Sequence, residues 1–359
     1  MRLSERFQLR RCTLCEPYQL LAASDFLLRT APEAVVNIGN YILDSLVIFR
    51  HNLPMSRSTI STFQLFQAIP DAEAARLYLE TRLWPDGVTC PACKAGERIT
   101  VRKGGYYRCN ACKLDFTVRT GTIFERSHVP LHKWVYAMYL LVTARKGISS
   151  LQLGKEIGVT QKSAWFMLQR LREACGSKLD KLRGMVEIDE TYVGGKEANK
   201  HVNLKLNLGR GSVGKQAVLG MRERDGRVIA MPIANTELPT IQQAIYDNVE
   251  IGSALYTDEH RSYSGLDGLF FTHATVNHFY GEYKRGLAST NSIESVWAVL
   301  KRGLNGVYHH ASKKHLHRYV NEFTFRLNFG NVKYHTLQRL DSFVFASAGR
   351  RITYKDLIA

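Results

Sequence analysis

Apolar and polar positions change period along the chain, and the change separates its parts. From Met185 onward short apolar runs alternate with helical ones. Met185–Val193 reads as a β-strand rich in β-branched and aromatic residues and closed by Gly194-Gly195. Alternate residues of a strand share a face, so Val186 and Ile188 point one way and Glu187 and Asp189 the other. On its own this predicts an edge strand with a solvated acidic face. Two further strand runs, from Ala217 and from Val228 to Ile233, flank Asp225-Gly226, a good hairpin turn. Glu237–Val249 follows as a helix, then a strand ending at Asp258 and a short one at Ala274–His278. The helix from Asn291 to about Leu304 carries an apolar stripe of Ile293, Val296, Trp297, Leu300 and Leu304.

Three antiparallel strands, a crossover helix and a parallel strand are the α/β order of a ribonuclease-H-like fold. In that order the elements bearing Asp189, Asp258 and the helix with Asn291, Glu294 and Lys301 can converge on one side of the sheet. A carboxylate on a core-type strand is costly without a partner. Three carboxylates from two strands and a helix would make a divalent-metal site for phosphoryl transfer. Helix geometry puts Glu294 and Lys301 nearly in line beside the stripe, roughly 100° and 80° from Ile293, with Asn291 about 60° further outward. That favours Glu294 as ligand and leaves Asn291 to cap or support the helix. Lys301 suits substrate phosphate, since an ammonium cannot coordinate a cation.

Upstream, Pro70 and the acids after it open a helix that runs on through Leu77 and Leu79. Trp134–Val142 is nearly all apolar and predicts a buried helix. Ser149–Ile157, the break at Gly158 and Thr160–Arg170 then spell a helix-turn-helix, with Ser149 or Ser150 and Thr160 as caps. Its second helix would present Thr160, Gln161, Lys162 and Arg170 to a major groove. Gly154 should weaken the first helix by about 1 kcal/mol against alanine. Residues after Phe325 read as irregular, and residues 1–54 carry apolar runs with no recognisable motif.

The cysteines add a second metal. Cys90-x-x-Cys93 and Cys109-x-x-Cys112 are separated by fifteen residues, the spacing of a zinc ribbon. Two CxxC turns close a tetrahedral shell of four thiolates, so Zn²⁺ there is structural and has no open position. Gly104 and Gly105 suit the loop between strands, and Tyr106, Tyr107 and Phe116 supply the packing. Cys12 and Cys15 have no second pair nearby and read as free thiols.

Charge names the partner class. Against 32 Asp+Glu stand 49 Lys+Arg, a surplus of +17 that calls for a polyanion. No run reaches the roughly 18 apolar residues of a membrane span, and no secretory signal opens the chain. A cytoplasmic, nucleoid-associated protein is expected.

With these residues assembled, the chain resembles the zinc-ribbon DDE transposases of bacterial insertion sequences, the ISXO-like family. The resemblance rests on Cys90–Cys112, the helix-turn-helix, Val186–Lys196, Tyr256–Glu259, Thr290–Trp297, Lys301–Gly303, His309-His310, Arg318–Phe323 and Gly349–Ile358. It implies a core that cuts double-stranded DNA at element ends and joins the freed 3′-hydroxyl to a target, as a homo-oligomer on DNA. It also implies Mg²⁺ or Mn²⁺ held by Asp189, Asp258 and Glu294, two ions about 3.5–4 Å apart. The expected organisation is an extension at 1–54 that is dispensable, with Met55 as a natural start; a helical leader at 55–84; a zinc ribbon at 85–125; a helix-turn-helix DNA-binding region at 126–180; the ribonuclease-H-like catalytic domain at 181–330; and a tail at 331–359. Two rivals remain: a ribonuclease-H-like nuclease without strand transfer, and a non-enzymatic DNA-binding regulator, which leaves the three acids unexplained.

Overall fold

The chain divides into two compact units, Met1–Met55 and Ser56–Ala359. The computed structural model describes residues 59–176, 179–195, 197–206, 211–266, 272–276 and 289–358, all in the second unit. The expectations for residues 1–54, Cys12 and Cys15 lie outside the described residues.

Two short helices lead in, α1 (Thr62–Ala68) and α2 (Ala72–Leu83). Ser61 and Gln64 form a capping box on α1, and the Asp71 carboxylate caps α2 by accepting from the Ala74 amide at 2.8 Å. A small antiparallel sheet follows, β1 (Ile99–Arg102), β2 (Tyr106–Cys109) and β3 (Asp115–Phe116). Gly104 and Gly105 turn β1 into β2 with φ of 71° and 74°, where glycine carries no Cβ penalty. Tyr107 and Phe116 stack at 5.6 Å against Trp84, whereas Tyr106, expected in that packing, points to solvent. Alternation along β2 decides this: only one of two adjacent tyrosines can face the little core.

Three helices come next, α3 (Leu131–Thr143), α4 (Ser150–Ile157) and α5 (Gln161–Cys175). Ser149 and Thr160 cap α4 and α5, and Gly158 turns between them at φ 64°. Gly154 is there for space: a Cβ would stand 3.0 Å from the Val159 carbonyl oxygen.

The main sheet has five strands, β4 (Met185–Val193), β5 (Gln216–Glu223), β6 (Val228–Ile233), β7 (Ala254–Asp258) and β8 (Thr272–Val276), ordered β6-β5-β4-β7-β8. The first three pair antiparallel; β7 lies parallel to β4 and to β8. α6 (Leu238–Asn248) makes the crossover and packs Ile241 and Ile245 with Val186, Ile188, Leu219 and Leu255 on one face. α7 (Asn291–Gly303) covers the other face with the expected stripe of Ile293, Val296, Trp297, Leu300 and Leu304, all buried. β4 is therefore the central strand and not an edge. Its acidic face is buried because Glu187 finds partners: its Oε2 accepts from the amides of Ser292 and Ile293 at 2.9 and 3.2 Å, and Arg224 reaches its Oε1 at 3.3 Å.

α8 (Leu316–Leu327) binds the catalytic sheet to the helices before it. Arg172 of α5 and Glu322 of α8, each 1% exposed, pair at 2.7 Å. The segment beyond, expected to be irregular, holds α9 (Thr336–Ser347) and α10 (Tyr354–Ile358). Leu340, Phe343 and Val344 of α9 are buried, and Arg339 donates to the Val142 carbonyl at 2.6 Å. Among the described residues no helix is long and apolar enough to cross a membrane.

Candidate active site and metal centre

Parallel pairing brings two of the acids within reach of each other. Glu187 lies opposite Tyr256, and beyond that pair the charge of Asp258, the last residue of β7, acts on Asp189 in the middle of β4. On its other side Asp189 lies opposite Gly220 of β5. A Cβ at Gly220 would stand 2.5 Å from Trp297 Cζ2 and 3.0 Å from Ile293 Cδ1. Because that Cβ is missing, the indole lies over β5 and donates its Nε1–H to Asp189 Oδ2 at 2.9 Å.

The electrostatics of Asp189 follow from this position. Burial, then the charge of Glu190, push its carboxyl up to about 7; Asp258 adds to the rise and the Trp297 N–H opposes it. Glu190 is raised as well, first by burial, and the Tyr263 hydroxyl donates to it. Asp258 accepts from the His260 amide at 3.0 Å, and the His260 ring bonds Ser262 Oγ at 2.8 Å. Half-buried carboxylates that repel one another are the donor set a divalent cation would neutralise, so the residues fit such an ion.

The third acidic position sits on α7. Glu294 is exposed on the first turn and accepts from the Thr290 hydroxyl at 3.2 Å. Asn291 is the first residue of the helix and is exposed; Glu187, reaching across from β4, takes up the amides that Asn291 was expected to help cap. Lys301 is exposed two turns on. Among the described residues, the one set of three or more Cys, His, Asp or Glu whose ligand atoms all lie within 4.8 Å of one another is the cysteine set. The three acids are not drawn together to that degree.

Cys90, Cys93, Cys109 and Cys112 make up that set, with Sγ–Sγ distances of 3.6 Å for Cys90–Cys112 and 3.5 Å for Cys93–Cys109. A tetrahedron with Zn–S bonds of about 2.3 Å has edges of roughly 3.8 Å, so the four thiols stand where a zinc ion would hold them. The Cys109 thiol is drawn down to about 6, chiefly by the backbone N–H of Cys112. The cluster is suited to a closed structural site.

Of the residues expected at a groove, Thr160, Gln161 and Lys162 are exposed at the start of α5. Gln161 bonds Ser150 Oγ at 2.8 Å, and Lys162 lies 5.1 Å over the Tyr354 ring of α10. Arg170 is a correction. It is 6% exposed and donates to the carbonyls of Ile123 and Glu125 at 2.9 and 2.8 Å, which makes it a strut between α5 and the segment before α3.

Sequence reasoning missed Glu187, Glu190, Gly220, Tyr263 and the bond from Trp297. For Glu190 the acidic doublet was a signal. For Gly220 the signal was a lone glycine within a strand run, which marks close approach.

A four-cysteine cluster suited to zinc ahead of a ribonuclease-H-like sheet is the arrangement of the DDE-type transposases. Residues 181–328 match the ISXO2-like transposase domain, and residues 70–115 match the transposase zinc-ribbon domain. The chain is 33% identical over 274 residues to an uncharacterised protein in transposable element ISH50 of Halobacterium salinarum, covering 72% of this chain and 91% of that one. It is 30% identical over 110 residues to an uncharacterised transposase-like protein of Haemophilus influenzae, 30% of this chain and 85% of that one. The chain belongs to the ISXO2-like insertion-sequence transposases.

Proposed function

We propose that this transposase binds the ends of its insertion sequence, cuts the DNA there and joins the freed 3′-hydroxyl to target DNA. The observation that supports it is Asp189: a carboxylate raised to about 7, within reach of the Asp258 charge on the neighbouring parallel strand and held by an indole from α7. Asp189, Asp258 and Glu294 would hold two divalent cations, Mg²⁺ or Mn²⁺. When bound, these supply activation of the attacking oxygen and stabilisation of the leaving one. The side chains themselves set the geometry. Asp189 accepts from the indole at one oxygen, Glu190 accepts from Tyr263, and Lys301, exposed two turns along α7, would hold a substrate phosphate. Thr160, Gln161 and Lys162 would meet the major groove, and the protein would act as a homo-oligomer on the DNA.

The deciding experiment incubates the protein and Mg²⁺ with end-labelled duplexes carrying the element's termini. Nicked product plus higher-molecular-weight joined product supports the proposal. Nicks without joining would leave a nuclease, and binding without either would leave a regulator. Asp189→Asn should remove both products and keep binding.

A further inference from the structure

Between Glu294 and Glu322 the chain has no acidic residue, yet it carries Lys301, Arg302, Lys313, Lys314 and Arg318 with His309, His310, His315 and His317. This stretch is the corner from α7 into α8, and its backbone is unusual at two consecutive places. Leu304–Tyr308 is a π-turn, a form that concentrates at functional sites. His309 then takes φ 58° and ψ −37°, and the His310 amide donates to the Tyr308 carbonyl at 2.6 Å. That is a classical γ-turn, a strained form for a residue with a Cβ.

Tyr308 holds the strain in place. Its hydroxyl donates to Glu322 Oε1 at 2.6 Å, its ring packs edge-on to Tyr319 at 4.9 Å, and Arg172 lies 4.9 Å over it. Gly147 has no Cβ where one would collide with the Tyr308 ring. With the tyrosine turned inward, the corner turns the rest outward: Lys301, Arg302, Asn305, Gly306, His309, His310, Lys313 and Lys314 are all exposed. The ends of the corner meet both functional parts. His315 packs edge-on to Trp165 of α5 at 5.7 Å and Arg318 pairs with Glu173 of α5 at 3.0 Å, while Trp297, midway along α7, bonds Asp189. Burial and then the neighbouring cations Arg318, Lys314 and His317 depress His315, as expected where like charges gather.

We infer that residues 301–314 are a backbone clamp: a cationic corner that grips the phosphates of duplex DNA between the groove-reading end of α5 and the acids of the sheet. Its occupant is the sugar–phosphate backbone, since the exposed side chains are cations, imidazoles and one amide, with no acid and no fully exposed apolar side chain among them. Being a corner, it offers charge and not an element shaped to enter a groove, so its contribution is independent of sequence. It lies along the helix from the acids, since the part of α7 between Trp297 and Gly303 spans about 9 Å, the length of roughly three base pairs. The inference rests on the transposase reading above, in that the DNA must run from α5 to the sheet.

The test uses the full chain and a fluorescein-labelled duplex of about 30 base pairs of arbitrary sequence, with affinity read by anisotropy over a salt series. The pair Lys313→Ala and Lys314→Ala leaves the proposed metal ligands, Lys301 and the tyrosine clamp untouched. It should lower the slope of log affinity against log salt by about two, one per lost phosphate contact, and weaken binding at low salt by at least ten-fold. Lys313→Arg with Lys314→Arg should restore both. Tyr308→Phe, which keeps the ring and drops its bond to Glu322, should lower affinity with the lysines intact. An unchanged slope in the alanine pair overturns the clamp, as does failure of the arginine pair to restore it. A wild-type chain that binds no duplex at any salt would instead overturn the DNA-processing reading itself.

Discussion

Trp297 donates its indole N–H to Asp189 across the space that Gly220 leaves open on the neighbouring strand. One helix of the far face thus fixes the rotamer of the central acid, and a missing Cβ makes the contact possible. Removing only the N–H should loosen the acid and keep the packing. Trp297→Phe is expected to weaken Mn²⁺ binding, measured by calorimetry, by about 10–100-fold, with duplex binding unchanged. Gly220→Ala must push the ring aside; overpacking of that kind costs about 1–3 kcal/mol. It should lower the thermal midpoint as well as metal affinity. Equal metal affinity in Trp297→Phe and wild type would remove the indole from the site.

The raised carboxyl of Asp189 makes a prediction about pH. Unfolded, an aspartate ionises near 4; in the fold it ionises at about 7. Between these values the native state keeps a proton that the unfolded chain has released, so stability falls as pH rises through that window. Asp189→Asn should therefore stabilise the metal-free protein above pH 7 by on the order of 2–4 kcal/mol, and by nothing near pH 4. Urea midpoints at the two pH values check it. Excess Mg²⁺ should shrink the difference at high pH, because a bound cation removes the cost of the ionised form.

Elements with a clean period were legible: the strand run from Met185, the stripe on α7, the caps at Ser149 and Thr160, and the cysteine spacing all stand where the sequence put them. Legibility failed where a side chain's partner comes from far along the chain. Glu187 looked solvated because its partners, the amides of Ser292 and Ile293, lie more than a hundred residues away. Arg170 looked like a groove contact because nothing local shows that the carbonyls of Ile123 and Glu125 wait for it. The end of the chain looked irregular because α9 has its apolar face defined by distant helices, α2, α3 and α5, and by Phe325 of α8.

Arg172 and Glu322 carry the link between α5 and α8 in a site closed to water. Burial alone would raise Glu322, but the charges of Arg326 and Arg172 hold it down at about 2. Its contribution is thus present above pH 4.5 and is lost as pH falls towards 2. Arg172→Ala takes one of two guanidinium partners from a buried carboxylate that keeps its pair with Arg326, and should cost about 3 kcal/mol. Changing Arg172 to Met together with Glu322 and Arg326 to Leu should recover most of that, because no charge is then left alone. If this triple variant is as unstable as the single one, the charge cluster is not what joins the helices.

Zinc removal should act locally. The ribbon's core is Tyr107, Phe116 and two of the cysteines, too little to hold three short strands without the ion. Metal analysis is expected to find about one zinc per chain. Cys109→Ser should raise proteolytic sensitivity in residues 90–112 and weaken DNA binding, while the sheet from β4 to β8 stays folded. A protein free of zinc with that region still protected would make the cysteines incidental.

The start of α7 favours Glu294 over Asn291 as the proposed third ligand. Glu187 already binds the amides of Ser292 and Ile293, so the helix is capped from the sheet and Asn291 is released from that task. Position on the helix then separates the candidates. Glu294 stands beside the buried stripe, in line with Lys301, whereas Asn291 is about 60° further out. Chemistry agrees, since a hard divalent cation prefers an anionic carboxylate to a neutral amide. The Thr290 hydroxyl that now bonds Glu294 can stay on one oxygen while the other turns to a metal. Glu294→Gln should accordingly abolish cleavage and joining and spare duplex binding. Asn291→Ala should keep measurable activity, lowered by about ten-fold, an order typical of a group supporting a metal ligand. A Mg²⁺-dependent strand-transfer assay on both variants settles the order; if Asn291→Ala is dead and Glu294→Gln active, the asparagine is the ligand and the helix turns further when it binds metal.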